Sequence, residues 1–211
     1  HLVMPDIAVV DYGMGNLRSL SNAFEYLGEQ VVVTDDAAQL EVADRIVIPG
    51  VGAFGDAMQA MRSHGVIDAL NRQVRERRKP TLGICLGMQL VARTSCEHGQ
   101  HEGLGWLDAH IERLRVVPPL KVPHVGWNNL DYPQDDWLFK GIRRKEANFY
   151  FVHSFHMVCD DPADLLATTD HGGPVTAVVR RDNIVAMQFH PEKSQDNGLR
   201  LLQNWVDWTP A

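Results

Sequence analysis

The sequence predicts a single α/β domain built on a doubly wound, mostly parallel sheet of the flavodoxin-like kind, with additional antiparallel strands towards the end of the chain. Three observations lead there. Short apolar runs alternate with segments of helical spacing through roughly the first half, the pattern of strands covered on both faces by crossover helices. Several of those runs end in glycine-bearing turns, where open parallel sheets collect their ligands. The 211 residues are enough for one substantial core, and no compositional break marks a second.

Composition narrows the function. With 27 acidic against 20 basic residues and a net charge of −7, neither a nucleic-acid partner nor an anionic membrane surface is expected. The three cysteines, Cys85, Cys96 and Cys159, form no CxxC pair, so neither a disulfide framework nor a metal site is predicted. A reducing, cytoplasmic setting fits, and no stretch is long enough to span a membrane. His1-Leu2-Val3 ahead of Met4 reads as a remnant upstream of the natural start, which puts the domain at residues 4–209.

In chain order, residues 6–11 (DIAVVD) read as a buried strand, and Tyr12-Gly13-Met14-Gly15 as a turn into a helix that Asn16 caps. Leu17, Leu20, Phe24 and Leu27 share one helical face, which ends at Gly28. Residues 30–34 form the next strand, 37–43 a short helix and 44–50 a third strand. Pro49-Gly50-Val51-Gly52 then makes a loop whose backbone N–H groups either point inward as an oxyanion hole or simply serve a turn needing positive φ. Helical spacing over 58–61 and 66–74 breaks at Gly65. The basic run Arg75, Arg77, Arg78 and Lys79 reads as a solvated helix end.

The centre of the pattern is Gly83-Ile84-Cys85-Leu86-Gly87. An apolar strand switches there to helical spacing, and glycines two residues either side of Cys85 give the form of a nucleophile elbow. The alternative is a small buried core cysteine. Beyond it, residues 95–105 read as a polar loop in which His98 and His101 are solvated, and 107–117 as a strand. Pro118, Pro119 and Pro123 punctuate an extended segment that carries Trp127, either a recognition surface or a lid over the core. Residues 148–158 read as one strand bearing His153, a rival catalytic base. Runs over 165–169, 175–181 and 184–189 suggest an antiparallel meander, and 196–208 a closing helix. The last run leads into His190-Pro191-Glu192, a base with a carboxylate beside it to fix its tautomer, Pro191 keeping the link extended.

PGVG (49–52), GICLGMQ (83–89) and QFHPEKS (188–194), in this order, resemble the signature of class I glutamine amidotransferases over nearly the whole chain. DYGMGNLRS (11–19), VPHVGWN (122–128) and FYFVHSF (149–155) resemble one branch, the glutaminase subunits of imidazole glycerol phosphate synthase in histidine biosynthesis. The resemblance implies Cys85 as nucleophile, His190 as base and acid, and Glu192 as its orienter. It implies oxyanion donors at Leu86 and in the loop at Val51 and Gly52, and a glutamine pocket lined by Gly50, Gly52, Gln89, His153, Ser154 and Phe155. No cofactor is implied. The implied partner is a separate (β/α)8-barrel cyclase that receives ammonia within a heterodimer, meeting this chain at Asn16, Trp127 and Lys193, with the PGVG loop mispoised until the cyclase binds its ligand. The branch commonly has Met at Val125 and Tyr at Phe155. Two rivals stay open: a paralogous amidotransferase subunit feeding surface-sugar biosynthesis, and a non-catalytic flavodoxin-like binding module. A pyridoxal phosphate synthase glutaminase is disfavoured, because its glycine-rich signatures near the front are absent.

Overall fold

The computed structural model describes residues 5–211; the expected remnant at residues 1–3 and the start at Met4 lie outside them. The chain runs β1 (Ile7–Val10), α1 (Leu17–Tyr26), β2 (Val31–Thr34), α2 (Ala37–Val42), β3 (Arg45–Ile48), α3 (Phe54–His64) and α4 (Ile67–Asn71). After a π-helical turn at Arg72–Glu76 come β4 (Thr81–Ile84), α5 (Leu86–Leu90), β5 (Thr94–Ser95), β6 (His101–Glu102), β7 (Ala109–Arg113), β8 (His124–Asn129), β9 (Asn148–His153) and β10 (Phe155–Cys159). β11 (Leu165–Asp170), β12 (Pro174–Arg181), β13 (Ile184–Met187) and α6 (Gln195–Val206) complete it.

Among the described residues, seven strands form the central sheet in the order β11-β12-β13-β4-β3-β1-β2. The five from β13 to β2 pair in parallel, and β11 and β12 extend the sheet antiparallel, as the meander predicts. All four residues of β1 are buried because the pleat sends them to two cores: Ile7 and Val9 meet Leu20, Phe24 and Trp205 of α1 and α6, while Ala8 and Val10 meet Leu40, Phe54 and Met58 of α2 and α3. This two-sided burial is why the run reads as continuously apolar rather than alternating.

Several expectations need correction. Residues 95–105 are not wholly a loop: β5 and β6 pair antiparallel, and β5 pairs in parallel with β7, within a second sheet ordered β10-β7-β5-β6. Trp127 stands on a strand, not in a loop, because β8 pairs with β9 along six residues. Residues 148–158 form two strands. They part at Ser154, where β9 belongs with β8 and β10 with β7. The physical reason is burial: Phe149 and Phe151 pack in the core beneath α1 and α6, whereas Phe155 and Met157 pack in the opposite one. The chain therefore crosses from one face of the central sheet to the other at residue 154. Asn16 occupies the N-cap of α1 but its side chain makes no capping hydrogen bond. Of the basic run, Arg75, Arg77 and Arg78 are exposed as expected, and only Lys79 turns inward to cap another helix, its Nζ donating to the terminal carbonyls of α2 at Leu40 (3.0 Å) and Glu41 (2.5 Å).

Candidate active site

Cys85 joins β4 to α5 with φ 55° and ψ −113°, a conformation rarely adopted by residues with a Cβ. The elbow is held from both sides. A Cβ on Gly87 would lie 1.9 Å from the Ile48 carbonyl oxygen, and one on Gly83 would lie 2.9 Å from that of Gly87. Two glycines thus let β4, the end of β3 and α5 approach closely enough to force the bend. The helix after it is only five residues long, so its dipole is small.

His190 arrives from the end of β13, pinned by its N–H donating to the Tyr150 carbonyl of β9 (3.0 Å). Pro191 does not keep the link extended, as the sequence suggested, but opens a 3-10 turn over Pro191–Lys193. That turn folds the Glu192 carboxylate back onto His190 Nδ1 at 2.7 Å, with both side chains buried. Nε2, on the other side of the ring, is buried without a well-formed hydrogen bond. Burial works to depress the imidazole, but Cys85 nearby and the hydrogen-bonded Glu192 carboxylate outweigh it, raising the group to about 9. Cys85 shares the cavity lining with the ring, but its thiol makes its weak hydrogen bond to the Val152 carbonyl at 3.9 Å; catalytic contacts of this kind commonly form only when substrate binds.

A cavity of about 230 Å3 opens at this point, lined by Val51, Gly52, Cys85, Leu86, Gln89, Glu97, Val152, His153, Ser154, Phe155 and His190. Of the expected residues, Gly50 and Glu192 stand behind the lining. Asn16 and Lys193 are outside it, and Trp127 lines a separate cleft with Ser194 and Asn197. The expected oxyanion donor Leu86 is occupied, its N–H donating to the Gly50 carbonyl at 3.2 Å.

His153 is excluded as the base. Its Nδ1 faces the Phe155 carbonyl at 2.8 Å and so carries the proton, which leaves Nε2 to accept from His124 Nδ1 at 2.9 Å. Burial, first of all, pushes His153 down to about 3 and His124 down to about 4. His124 Nε2 in turn accepts from the Asn128 amide at 3.2 Å. The result is a neutral, paired array that stiffens the cavity wall.

Sequence reasoning did not single out Glu97 or Gln188. Glu97 lines the cavity while one carboxylate oxygen accepts the Phe54 N–H at 2.7 Å; in the sequence it is one acid in a polar stretch. Gln188 is fully buried, donates from Nε2 to Cys85 Sγ at 3.8 Å, and accepts from Gln89 Nε2 at 3.1 Å. A polar residue inside the apolar run before Phe189 was the available signal, since a buried amide needs partners.

Residues 8–208 match the family model described as glutamine amidotransferase class-I. The chain belongs to the class I glutamine amidotransferase family. Within this family of glutamine-hydrolysing enzymes, it is 47% identical over 212 residues to imidazole glycerol phosphate synthase subunit HisH 2 of Nitrobacter winogradskyi, covering 98% of this chain and 100% of that one. It is 48% identical over 209 residues to the HisH subunit of Zymomonas mobilis, covering 97% and 96%. The solved structure of PurLQS from Thermotoga maritima superposes with a TM-score of 0.71 at 21% identity, covering 97% of this amidotransferase and 99% of that chain; at that identity the likeness concerns the fold.

Proposed function

We propose that residues 4–209 form one glutaminase domain, the ammonia-supplying subunit of an imidazole glycerol phosphate synthase in histidine biosynthesis, acting in the cytoplasm. The observation that carries the chemistry is the strained Cys85 sharing a cavity with an imidazole that Glu192 orients from behind. Near-full-length identity of 47–48% to HisH subunits supports the pathway.

In this reading Cys85 sulfur attacks the side-chain amide carbon of glutamine while His190 holds the thiol proton. The tetrahedral intermediate collapses as His190 gives that proton to the departing nitrogen, releasing ammonia and leaving a glutamyl thioester. Water, losing a proton to His190, then attacks the thioester, and glutamate leaves as the sulfur is reprotonated. The Glu97 carboxylate suits the α-ammonium of glutamine, and Gln89, Ser154 and Phe155 bound the rest. Leu86 N–H, with a donor from Val51 or Gly52, meets the oxyanion once the Gly50 carbonyl turns away, so the chain alone is expected to be slow.

A partner has an evident landing place. Val125 lies opposite Val152, and Trp127 opposite Tyr150, so these pairs share the outer face of the two-stranded sheet. Val125, Trp127 and Val152 are 56%, 45% and 36% exposed, and Val152 and the exposed Val51 also rim the cavity. An apolar strip at the cavity mouth fits a barrel cyclase that seals the site and takes ammonia directly, and Asn16 and Lys193 are proposed as further contacts with it.

The test mixes the chain with a cyclase subunit and measures glutamate release with and without cyclase ligand. Ligand-dependent acceleration, abolished by Cys85→Ala, is expected. Activity that survives Cys85→Ala, or a chain that fails to complement a histidine auxotroph lacking this subunit, would overturn the reading.

A further inference from the structure

Tyr12, in the turn between β1 and α1, has no part in the mechanism above, yet it is fully buried with its hydroxyl aimed at the oxyanion loop. That hydroxyl donates to the Pro49 carbonyl at 2.5 Å. It also lies directly against Gly50, since a Cβ there would come within 2.4 Å of the Tyr12 oxygen. The rest of the turn packs on the same loop: a Cβ on Gly15 would meet Pro49 Cβ at 3.2 Å and Gly50 N at 3.3 Å, and one on Gly52 would meet Met14 Cε at 2.7 Å. Gly50 is the residue whose carbonyl occupies the Leu86 N–H. Burial, with the charge of Cys85 adding to it, holds the phenol above its ordinary range, so it remains a donor.

We propose that Tyr12 is a positioning residue for oxyanion stabilisation: its hydroxyl fixes the peptide carbonyl at Pro49, confining rotation of the loop to the Gly50–Val51 peptide that must turn for the donors to converge. The inference rests on the glutaminase reading and names an element of that same site. A carbonyl tethered on one side of a flexible glycine acts as a pivot. Without it, Pro49 and Gly50 drift together, and the donors lose the fixed separation that a tetrahedral oxyanion requires.

The experiment compares wild type and Tyr12→Phe in the complex with ligand-bound cyclase. Phenylalanine keeps the ring in the core and removes only the donor. Loss of a direct oxyanion donor costs about 100-fold or more in kcat, so a displaced one is expected to cost about tenfold, with KM within about twofold. Affinity for glutamate γ-semialdehyde, whose adduct with Cys85 places an oxygen in the same hole, should fall in parallel. Alkylation of Cys85 by iodoacetamide, which uses no oxyanion hole, should proceed at the wild-type rate. An unchanged kcat overturns the proposal, and so does an alkylation rate that falls together with kcat, because either result makes Tyr12 ordinary core or places its effect on the nucleophile. Should Tyr12→Phe not fold, 3-fluorotyrosine at position 12 alters donor strength with shape nearly kept: kcat must then change without alkylation changing, and constancy of both refutes the idea. A wild-type complex that releases no ammonia sinks the glutaminase reading itself, a result separate from any effect of the substitution.

Discussion

Replacing His190 with asparagine should flatten the pH dependence of stability over a defined window. The imidazole is raised from 6.5 to about 9 in the folded protein by Cys85 and Glu192 acting against burial. A group whose folded value lies above its unfolded one adds stability that is complete below the unfolded value and disappears as pH rises through the folded value. The contribution is therefore full below about pH 6.5 and lost by about pH 9. At about 1.4 kcal/mol per unit the whole effect is roughly 3 kcal/mol, and the side chain is only 2% exposed, so solvent screens little of it. For a chain of this length that corresponds to on the order of 6–12 °C in Tm. Urea unfolding of wild type and His190→Asn at half-unit steps from pH 6 to 9.5 measures it. The two curves should be furthest apart in slope between pH 6.5 and 9, wild type falling more steeply. Parallel curves across that interval would mean that the imidazole is not held protonated by its neighbours, and the assigned pairing would be wrong.

Other outcomes follow from single contacts. Gly87→Ala should destabilise the chain by at least about 3 kcal/mol, because the added carbon meets the Ile48 carbonyl at 1.9 Å and no flexible side chain can yield; urea midpoints decide it. Glu97→Gln should raise KM for glutamine by about tenfold or more, a lost charge-assisted contact, while kcat holds; steady-state assays of the complex that show kcat falling instead would remove Glu97 from substrate binding. Gln188→Leu should lower kcat and slow Cys85 alkylation together, since the amide spans Cys85 and Gln89, and a normal alkylation rate would contradict that role.

The elements legible in the sequence are those with local causes. Apolar runs buried on both faces announce β1, β3 and β4, and glycines flanking Cys85 announce the elbow because close approach leaves them no substitute. His190 and Glu192 were legible because two residues and a proline contain the whole relation, even though the turn type was misjudged. What escaped depends on distant packing. The division of residues 148–158 at Ser154 arises from two cores on opposite faces of the sheet, and no local feature separates Phe151 from Phe155. Glu97 and Tyr12 gain their meaning from Phe54 and Pro49, which lie 43 and 37 residues away.

The backbone of Cys85 sets the interests of folding and chemistry against each other. A left-handed φ with ψ −113° costs a side-chain-bearing residue on the order of 1–3 kcal/mol, and glycine would relieve it. Laboratory evolution under heat selection alone, blind to turnover, should therefore drift towards Cys85→Gly, trading the reactive sulfur for a relaxed corner. Persistence of sulfur at such a corner is thus maintained by its chemistry and not by the architecture around it.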